Sequence, residues 1–314
     1  MVRNKIVVTG ASGFIGANLV RRLISDNNEV YILKRKDSYI WRLTELNPQL
    51  KEFQVDFHDK ALLKEVISHI KPDIIYHLAA YGGYPFQEDL TKMLNGNIVS
   101  TVNILEASKD IGYKIFINFG SSSEYGFKKK PMKETDVLEP GSFYAATKAS
   151  GTYLCRVFGN IYQKPIVTVR PFSVYGPYEE PTRLIPSSIV ACLKGKDLKL
   201  TKGDQKRDFI YIGDFLDGLF AITHNPEKVA GKVINLGTAR QYSVNEVVTL
   251  IKKITNSKSK LIWDAYQPRS WDTNYWVADI KLAKKLLNWE PETSLEEGLQ
   301  KTIAWFKKHI HLYI

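Results

Sequence analysis

A chain of 314 residues with 44% hydrophobic content can bury a large core, which excludes a disordered polypeptide and predicts two domains or one large α/β unit. The formal charge of +11 arises from basic residues scattered along the chain, clusters such as Lys34-Arg-Lys36 and Lys128-Lys-Lys130 included, with no repeating aromatic partner, and this argues against a nucleic-acid binder. Cys155 and Cys192 lack CxxC spacing and fit a reducing compartment; the six histidines form no metal-ligand pattern, and His309-Ile-His311 reads as a frayed, solvated tail.

Lys5–Thr9 reads as a first strand, running into Gly10-Ala-Ser-Gly13-Phe-Ile-Gly16 and a helical pattern over Ile15–Ser25. Arg3 and Lys5 ahead of the uncharged run Ile6 to Val20 imitate a secretory signal, but three glycines and a serine break that run. No segment approaches the ~20 apolar residues of a membrane span, so a soluble, cytoplasmic protein without a membrane partner is expected. Glycines at this strand-to-helix turn let the backbone bend tightly, approach a pyrophosphate and pack helix on strand, while the helix N-terminal amides favour the anion. Gly10, Ser12, Gly13, Phe14, Ile15 and Gly16 are therefore candidate dinucleotide-binding residues. The second strand, Glu29–Leu33, is followed by Lys34 and Arg35 where NAD-binding versions of this turn carry an acidic residue. Two cations suit a 2′-phosphate, so NADP(H) is expected ahead of NAD(H). Asp56, closing a strand over Phe53–Asp56, is a candidate adenine contact, and Asp59 caps the helix Ala61–Ile70.

Strands Ile74–Leu78, Ile115–Phe119, Pro165–Val169 and Val233–Leu236, with helices Met93–Lys109 and Phe143–Asn160, complete a pattern that predicts a Rossmann-type, doubly wound parallel sheet of about seven strands. After Arg170, Pro171, Pro177, Pro181 and Pro186 punctuate a loop-rich stretch. A helix over Ser187–Lys194, strands Phe209–Ile212 and Lys260–Trp263, and helices Asp214–Thr223, Val244–Ile254, Ile280–Leu287 and Leu295–Lys308 then predict a smaller, interleaved α/β cap. The expected division is a dinucleotide-binding domain over 1–171 with a return strand at 232–237, and a substrate-binding cap from 172–231 and 238–314.

The chemistry is expected at Tyr144-Ala-Ala-Thr-Lys148, about twenty residues beyond Gly120-Ser-Ser-Ser-Glu-Tyr-Gly126. Residues four apart share a helix face, and a lysine ammonium beside a tyrosine stabilises the phenolate for proton transfer near neutral pH. A hydroxyl from the serine run would hold the substrate oxygen.

Together the glycine turn, the serine-rich strand end and YxxxK resemble the extended short-chain dehydrogenase/reductase family, in its nucleotide-sugar epimerase/dehydratase/reductase branch. His77-Leu-Ala-Ala80, Asn97-Ile-Val-Ser-Thr101, Arg170-Pro-Phe-Ser-Val-Tyr-Gly-Pro177, Arg207-Asp-Phe-Ile-Tyr-Ile-Gly-Asp214 and Arg269-Ser-Trp-Asp272 extend the resemblance over the whole chain. The resemblance implies that Tyr144 transfers the proton, that Lys148 bonds the nicotinamide ribose and lowers the tyrosine pKa, and that Ser122 is the catalytic hydroxyl, with Ser121 or Ser123 as alternatives. It also implies cofactor contacts at Leu78, Ala79, Ala80, Asn97 and Pro171, and substrate contacts at Ser123, Ser173 and Tyr211. Arg207 and Arg269 would grip the diphosphate of a nucleotide sugar. Two copies would form a homodimer through a four-helix bundle of Met93–Lys109 and Phe143–Asn160.

Three reactions fit such a site: epimerisation, 4,6-dehydration and reduction. Glu124, two places after Ser122, has the spacing of a dehydratase acid/base. Lys34-Arg35 favours NADPH, and so the leading expectation is NADPH-dependent reduction of a nucleotide-linked 4-keto-6-deoxy-hexose at C4. The alternatives are a 4-epimerase or 4,6-dehydratase recycling bound NAD(P), and, from another class, a non-catalytic NADP-binding scaffold.

Overall fold

A computed structural model describes residues 3–84, 86–266 and 273–313. Short β-branched runs become strands β1 (Lys5–Thr9), β2 (Glu29–Lys34), β3 (Lys51–Gln54), β4 (Ile74–His77), β5 (Ile115–Phe119) and β6 (Ile166–Pro171), joined by a return strand, Val233–Leu236. Their order across the sheet is β3-β2-β1-β4-β5-β6-return strand, and every neighbouring pair is parallel. Alternate residues of these strands feed two cores, one on each face. Ile6, Val8, Tyr76, Ile115 and Ile117 pack with helix α1 (Phe14–Ser25) and the helix Ile212–Thr223. Val7, Ile75 and Phe116 pack with α2 (Lys60–Ile70), α4 (Ser100–Ser108) and α5 (Phe143–Tyr162), a short α3 (Leu90–Leu94) leading into α4. Both cysteines are buried and free.

Between α3 and α4 the chain makes a π-helical turn, Asn95–Val99, and this irregularity lies where the helix passes the cleft described below. Asn97 in that turn exchanges bonds with the backbone of Tyr81, accepting at 2.8 Å and donating at 2.7 Å, and donates to Thr147 Oγ1 of α5 at 2.9 Å.

A third core, with Tyr175, Ile185, Val247, Leu299 and Phe306, fills the C-terminal lobe. Its small sheets are shorter than expected: Phe209–Tyr211 lies parallel to Ser173–Tyr175, and Leu261–Ile262 pairs with Leu198–Lys199. The helix expected from Ser187 begins at Leu184, because Pro186 occupies its first turn, where a missing N–H leaves no helical bond unmade. The tail over Ile310–Tyr313 is ordered into a 3-10 turn. His309 stacks on Trp305 with centroids 4.4 Å apart, and the Tyr313 hydroxyl donates to Glu179 O at 2.8 Å, so aromatic packing secures a tail whose polarity predicts solvation. No helix among the described residues is long and apolar enough to cross a membrane.

At the turn after β1, Gly10 has φ +69°, and a Cβ there would lie 2.6 Å from the Ala79 nitrogen; a Cβ on Gly16 would strike Gly10 O. Gly16→Ala is therefore expected to cost about 1–3 kcal/mol by overpacking and to weaken dinucleotide binding with it. Thermal unfolding with and without NAD measures both, and an unchanged melting temperature would contradict this steric reading.

Candidate active site

A cleft of about 1750 Å³ opens at the C-terminal ends of the central strands, with the C-terminal lobe as its far wall. The doubly wound order reverses between β1 and β4, and such a reversal leaves a crevice because the loops on either side diverge. Gly10, Ser12, Gly13, Phe14, Ile15, Gly16, Lys34, Arg35, Asp56, Leu78, Ala79, Ala80 and Pro171, the expected cofactor contacts, all line this cleft. The bare backbone of the glycine turn suits a pyrophosphate, since a side chain at Gly10 or Gly16 would fill the cradle. Asp59 caps α2 by accepting from Leu62 N at 3.0 Å.

His77 ties the floor together. Its Nδ1 pairs with Thr9 Oγ1 at 2.8 Å and its Nε2 with Thr101 Oγ1 at 3.0 Å, linking β1, β4 and α4. Burial, reinforced by the Lys148 charge, pushes its pKa down to about 3, so the ring stays neutral.

Ser142 caps α5 by accepting from Ala145 N at 3.1 Å, which starts the helix so that Tyr144 and Lys148 face the cleft one turn apart. Burial raises the pKa of Tyr144 above the ordinary phenol value; a hydrogen bond from Ser121 and the positive charge of Arg183 oppose it, and Glu124 and Tyr84 add to it. Lys148 is pushed down by burial and held up by Glu124. In the protein alone, then, the tyrosine is not the low-pKa acid that the motif suggests, because desolvation is the larger influence.

Ser121, Ser122 and Ser123 all reach the cleft wall, yet they differ in what they can do. Ser121 is the serine that holds the Tyr144 pKa down, and its Oγ pairs with Ser123 Oγ at 2.7 Å, whereas Ser122 Oγ accepts from the Trp276 indole Nε1 at 3.2 Å. Glu124 departs from the catalytic role expected of it. Its carboxylate is fully buried and turned away from the cleft, accepting from Ser121 N at 2.7 Å, Thr152 Oγ1 at 3.0 Å and Arg170 Nε at 2.9 Å. Asn97 likewise spends its amide on Tyr81 and Thr147, and it positions those segments instead of lining the cofactor cleft. Tyr211 packs against Tyr175 and under Lys301, outside the cleft wall.

Ser173 and Arg207 line the cleft; Arg207 Nη1 donates to Lys206 O and Thr273 O at 2.8 and 3.3 Å, and its guanidinium lies 5.3 Å from the Trp276 ring. Arg269 lies outside the described residues. Sequence reasoning missed Arg183, whose Nη2 donates to Gly83 O at 2.6 Å; a Cβ on Gly83 would stand 3.9 Å from the Tyr144 hydroxyl. Its signal is a lone arginine just before an apolar helix that lacks a side-chain cap. No group of His, Cys, Asp and Glu among the described residues could hold a metal ion.

The family model described as the NAD dependent epimerase/dehydratase family matches residues 6–237. The chain belongs to this family. It is 34% identical to a UDP-glucuronate 4-epimerase of Thermodesulfobacterium geofontis, over 98% of this chain and 97% of that protein. With the dTDP-glucose 4,6-dehydratase of Neisseria meningitidis the identity is 30%, over 96% and 93%. The crystal structure of UDP-glucuronic acid 4-epimerase from Bacillus cereus with UDP-glucuronic acid and NAD superposes with a TM-score of 0.88 at 31% identity, covering 97% of this chain and 99% of that one.

Within this family of nucleotide-sugar enzymes, the expectation of NADP(H) rests on Lys34 and Arg35 acting as unopposed cations. They are opposed. Lys34 Nζ lies 2.8 Å from Glu52 Oε2, a carboxylate on the neighbouring strand, and Arg35 Nε lies 3.4 Å from Asp37 Oδ1. A 2′-phosphate would have to displace Glu52 or meet its negative charge, so the NADP(H) preference loses its physical basis and NAD(H) fits better. Glu52→Gln is expected to raise the affinity for NADP+ relative to NAD+ by about tenfold, the worth of one partly exposed charge. Fluorescence titration of both nucleotides checks it.

Proposed function

We propose that the chain is a nucleotide-sugar 4-epimerase that recycles bound NAD(H) and acts on a UDP-linked hexuronate. One observation carries the choice of reaction: the only carboxylate on the Ser121–Tyr125 segment, Glu124, is bonded to Arg170 and faces the core. Dehydration needs an acid/base at the sugar, and this segment offers hydroxyls instead. The relatives favour epimerase or dehydratase over the NADPH-dependent reductase expected from Lys34 and Arg35, and the ion pairs of those two residues remove the main ground for a reductase.

Tyr144, as phenolate, would accept the C4 hydroxyl proton, and Ser121 would hold the same oxygen; the serine expected from sequence, Ser122, is engaged by Trp276. The glycine turn and the cleft lining would hold the nicotinamide dinucleotide, which would supply reversible hydride transfer at C4. Tyr144 then gives the proton back, so acid and base balance over a turnover. Lys148, one helical turn along, would supply the positive charge that offsets the burial opposing the phenolate. Arg207 supplies a cation for the diphosphate and Arg183, beside Tyr144, one for a sugar carboxylate. Tyr153, Val157 and Ile161 stand exposed at i, i+4, i+8 on α5, with Leu94 exposed on α3, and such an apolar stripe supports pairing with a second copy.

Incubation of the purified protein with UDP-glucuronate and no added nucleotide is expected to yield the C4 epimer with unchanged mass. Loss of water would favour the dehydratase and a requirement for NADPH the reductase. Tyr144→Phe should lower kcat by about 10²–10⁴, and Ser121→Ala should cost more than Ser122→Ala. Arg183→Met should erase any preference for the uronate over UDP-glucose. For the dimer, Val157→Glu with Ile161→Glu is expected to give monomers by sedimentation without a drop in melting temperature.

A further inference from the structure

Glu124 and Arg170 are an anomaly in a core that could have been apolar. The carboxylate is 0% and the arginine 2% exposed, and Arg170 Nη2 lies 2.8 Å from Glu124 Oε2. Taking two charges out of water costs several kcal/mol each, and apolar residues of the same size commonly serve stability as well or better. Arg170 Nη1 is, besides, buried without a hydrogen-bond partner among the described residues, while the guanidinium lies 4.5 Å from the Tyr125 ring. Stability alone does not explain such a pair.

Its connections do. Ser121 caps the 3-10 turn Ser122–Tyr125, and Glu124 returns the bond, Oε1 accepting the Ser121 N–H while Ser121 Oγ accepts from Ser123 N at 3.1 Å. Gly120 makes room, since a Cβ there would collide with Oε1. The other oxygen accepts from Thr152, which follows Tyr144 and Lys148 at four-residue spacing on the same face of α5. One carboxylate thus holds the serine loop to the helix of the proton-transfer pair.

It is also an electrostatic neighbour of that pair. Glu124 raises the pKa of both Tyr144 and Lys148, and of Cys155 behind them. The groups facing Tyr144 from other elements are Ser121, Arg183, Tyr84 and Glu124; those facing Glu124 are Arg170, Thr152, Lys148 and Cys155. We propose that Glu124 and Arg170 are a buried positioning pair, which fixes the Ser121 loop against the helix of Tyr144 and Lys148 and keeps the field at that pair balanced. The proposal rests on the catalytic reading of Ser121, Tyr144 and Lys148.

Opposite charges give opposite signatures. Removing the carboxylate's charge in Glu124→Gln lowers the Tyr144 pKa, so the acid limb of kcat moves to lower pH. Removing the guanidinium in Arg170→Met leaves Glu124 unopposed, and the limb moves to higher pH. Each single variant is expected to lose on the order of tenfold in kcat with little change in KM, because an unmatched Arg170 or Glu124 shifts the turn that carries Ser121 and spoils the reacting geometry. The double variant, neutral and with the Ser121 N–H still bonded by Gln, returns the limb toward wild type, and Arg170→Lys, which keeps the charge, stays near it. Phenolate absorbance, taken as the difference between each variant and its Tyr144→Phe counterpart, reads the same pKa without substrate. It therefore tests the pair even if UDP-glucuronate proves not to be turned over, a result that would sink the epimerase reading alone. Should a single variant fail to fold, the comparison of the double variant with Arg170→Lys decides. Shifts in one direction for both singles, no shift in either, or a double variant whose titration departs from that of Arg170→Lys would overturn the proposal.

Discussion

Close passage of backbone past backbone at Gly10 is the constraint on which the remaining features depend. A parallel sheet sends all its C-terminal strand ends to one edge, and a ligand cleft opens only where the strand order reverses, between β1 and β4. At that point a side chain would collide with Ala79, and only glycine accepts the left-handed backbone without penalty. From there a continuous line of contacts leads to the helix of Tyr144 and Lys148. Thr9 bonds His77, His77 bonds Thr101, Thr101 Oγ1 donates to Asn97 O at 2.8 Å, and Asn97 bonds Thr147, which lies between Tyr144 and Lys148. Buried polar groups are costly unless each has a partner, so this chain of satisfied bonds admits few alternative arrangements.

The opposite wall of the cleft is tied to the same turn by one arginine. Arg42 donates to Ser12 O of the glycine loop at 3.3 Å, to Tyr178 O at 2.7 Å, and pairs with Glu180 at 3.2 Å. Around it, Trp41, Tyr178, Trp305 and Tyr313 pack edge to face or tilted, which anchors the C-terminal helix and tail to the loop that carries Arg183. An enzyme that returns hydride to the substrate that supplied it gains from such closure, because its cofactor has no reason to leave between half-reactions. Retention is the economical arrangement for epimerisation, and an obstacle for a reductase that exchanges cofactor at each turnover.

What sequence reveals here is what is local. The glycine spacing, the helical face shared by Tyr144 and Lys148, and the seven β-branched runs are all set by neighbours within a few residues, and they appear close to where the pattern places them, β3 (Lys51–Gln54) lying two residues before the expected Phe53–Asp56, so that Asp56 falls past the strand end. Most of the errors come from partners that the local pattern does not show. Lys34 and Arg35 read as a phosphate site until Glu52 and Asp37 stand beside them. Glu124 reads as an acid/base until Arg170, distant in sequence, neutralises it. The C-terminal tail reads as solvated because its aromatic partners, Trp41 and Tyr178, belong to other elements. Arg183 carried no local signal beyond its place before a helix, and its significance comes from Gly83 and Tyr144 across the cleft.

The register of one short turn carries the question of reaction class. In a 3-10 helix successive residues point about 120° apart, so a shift of one position moves a side chain from one wall to another. On the turn Ser122–Tyr125, Ser123 lines the cleft and Glu124 enters the core. A glutamate at 123 would present its carboxylate to the sugar; at 124 the same group braces Ser121 from behind. Spacing counted along the chain makes the two positions look interchangeable, since both lie within two residues of a candidate serine. The direction of the side chain separates them, because a carboxylate that already accepts three protein hydrogen bonds and an arginine's charge is a poor base for a substrate proton. The position of the glutamate by a single residue is therefore the ground on which the proposed hydride return is preferred to elimination of water.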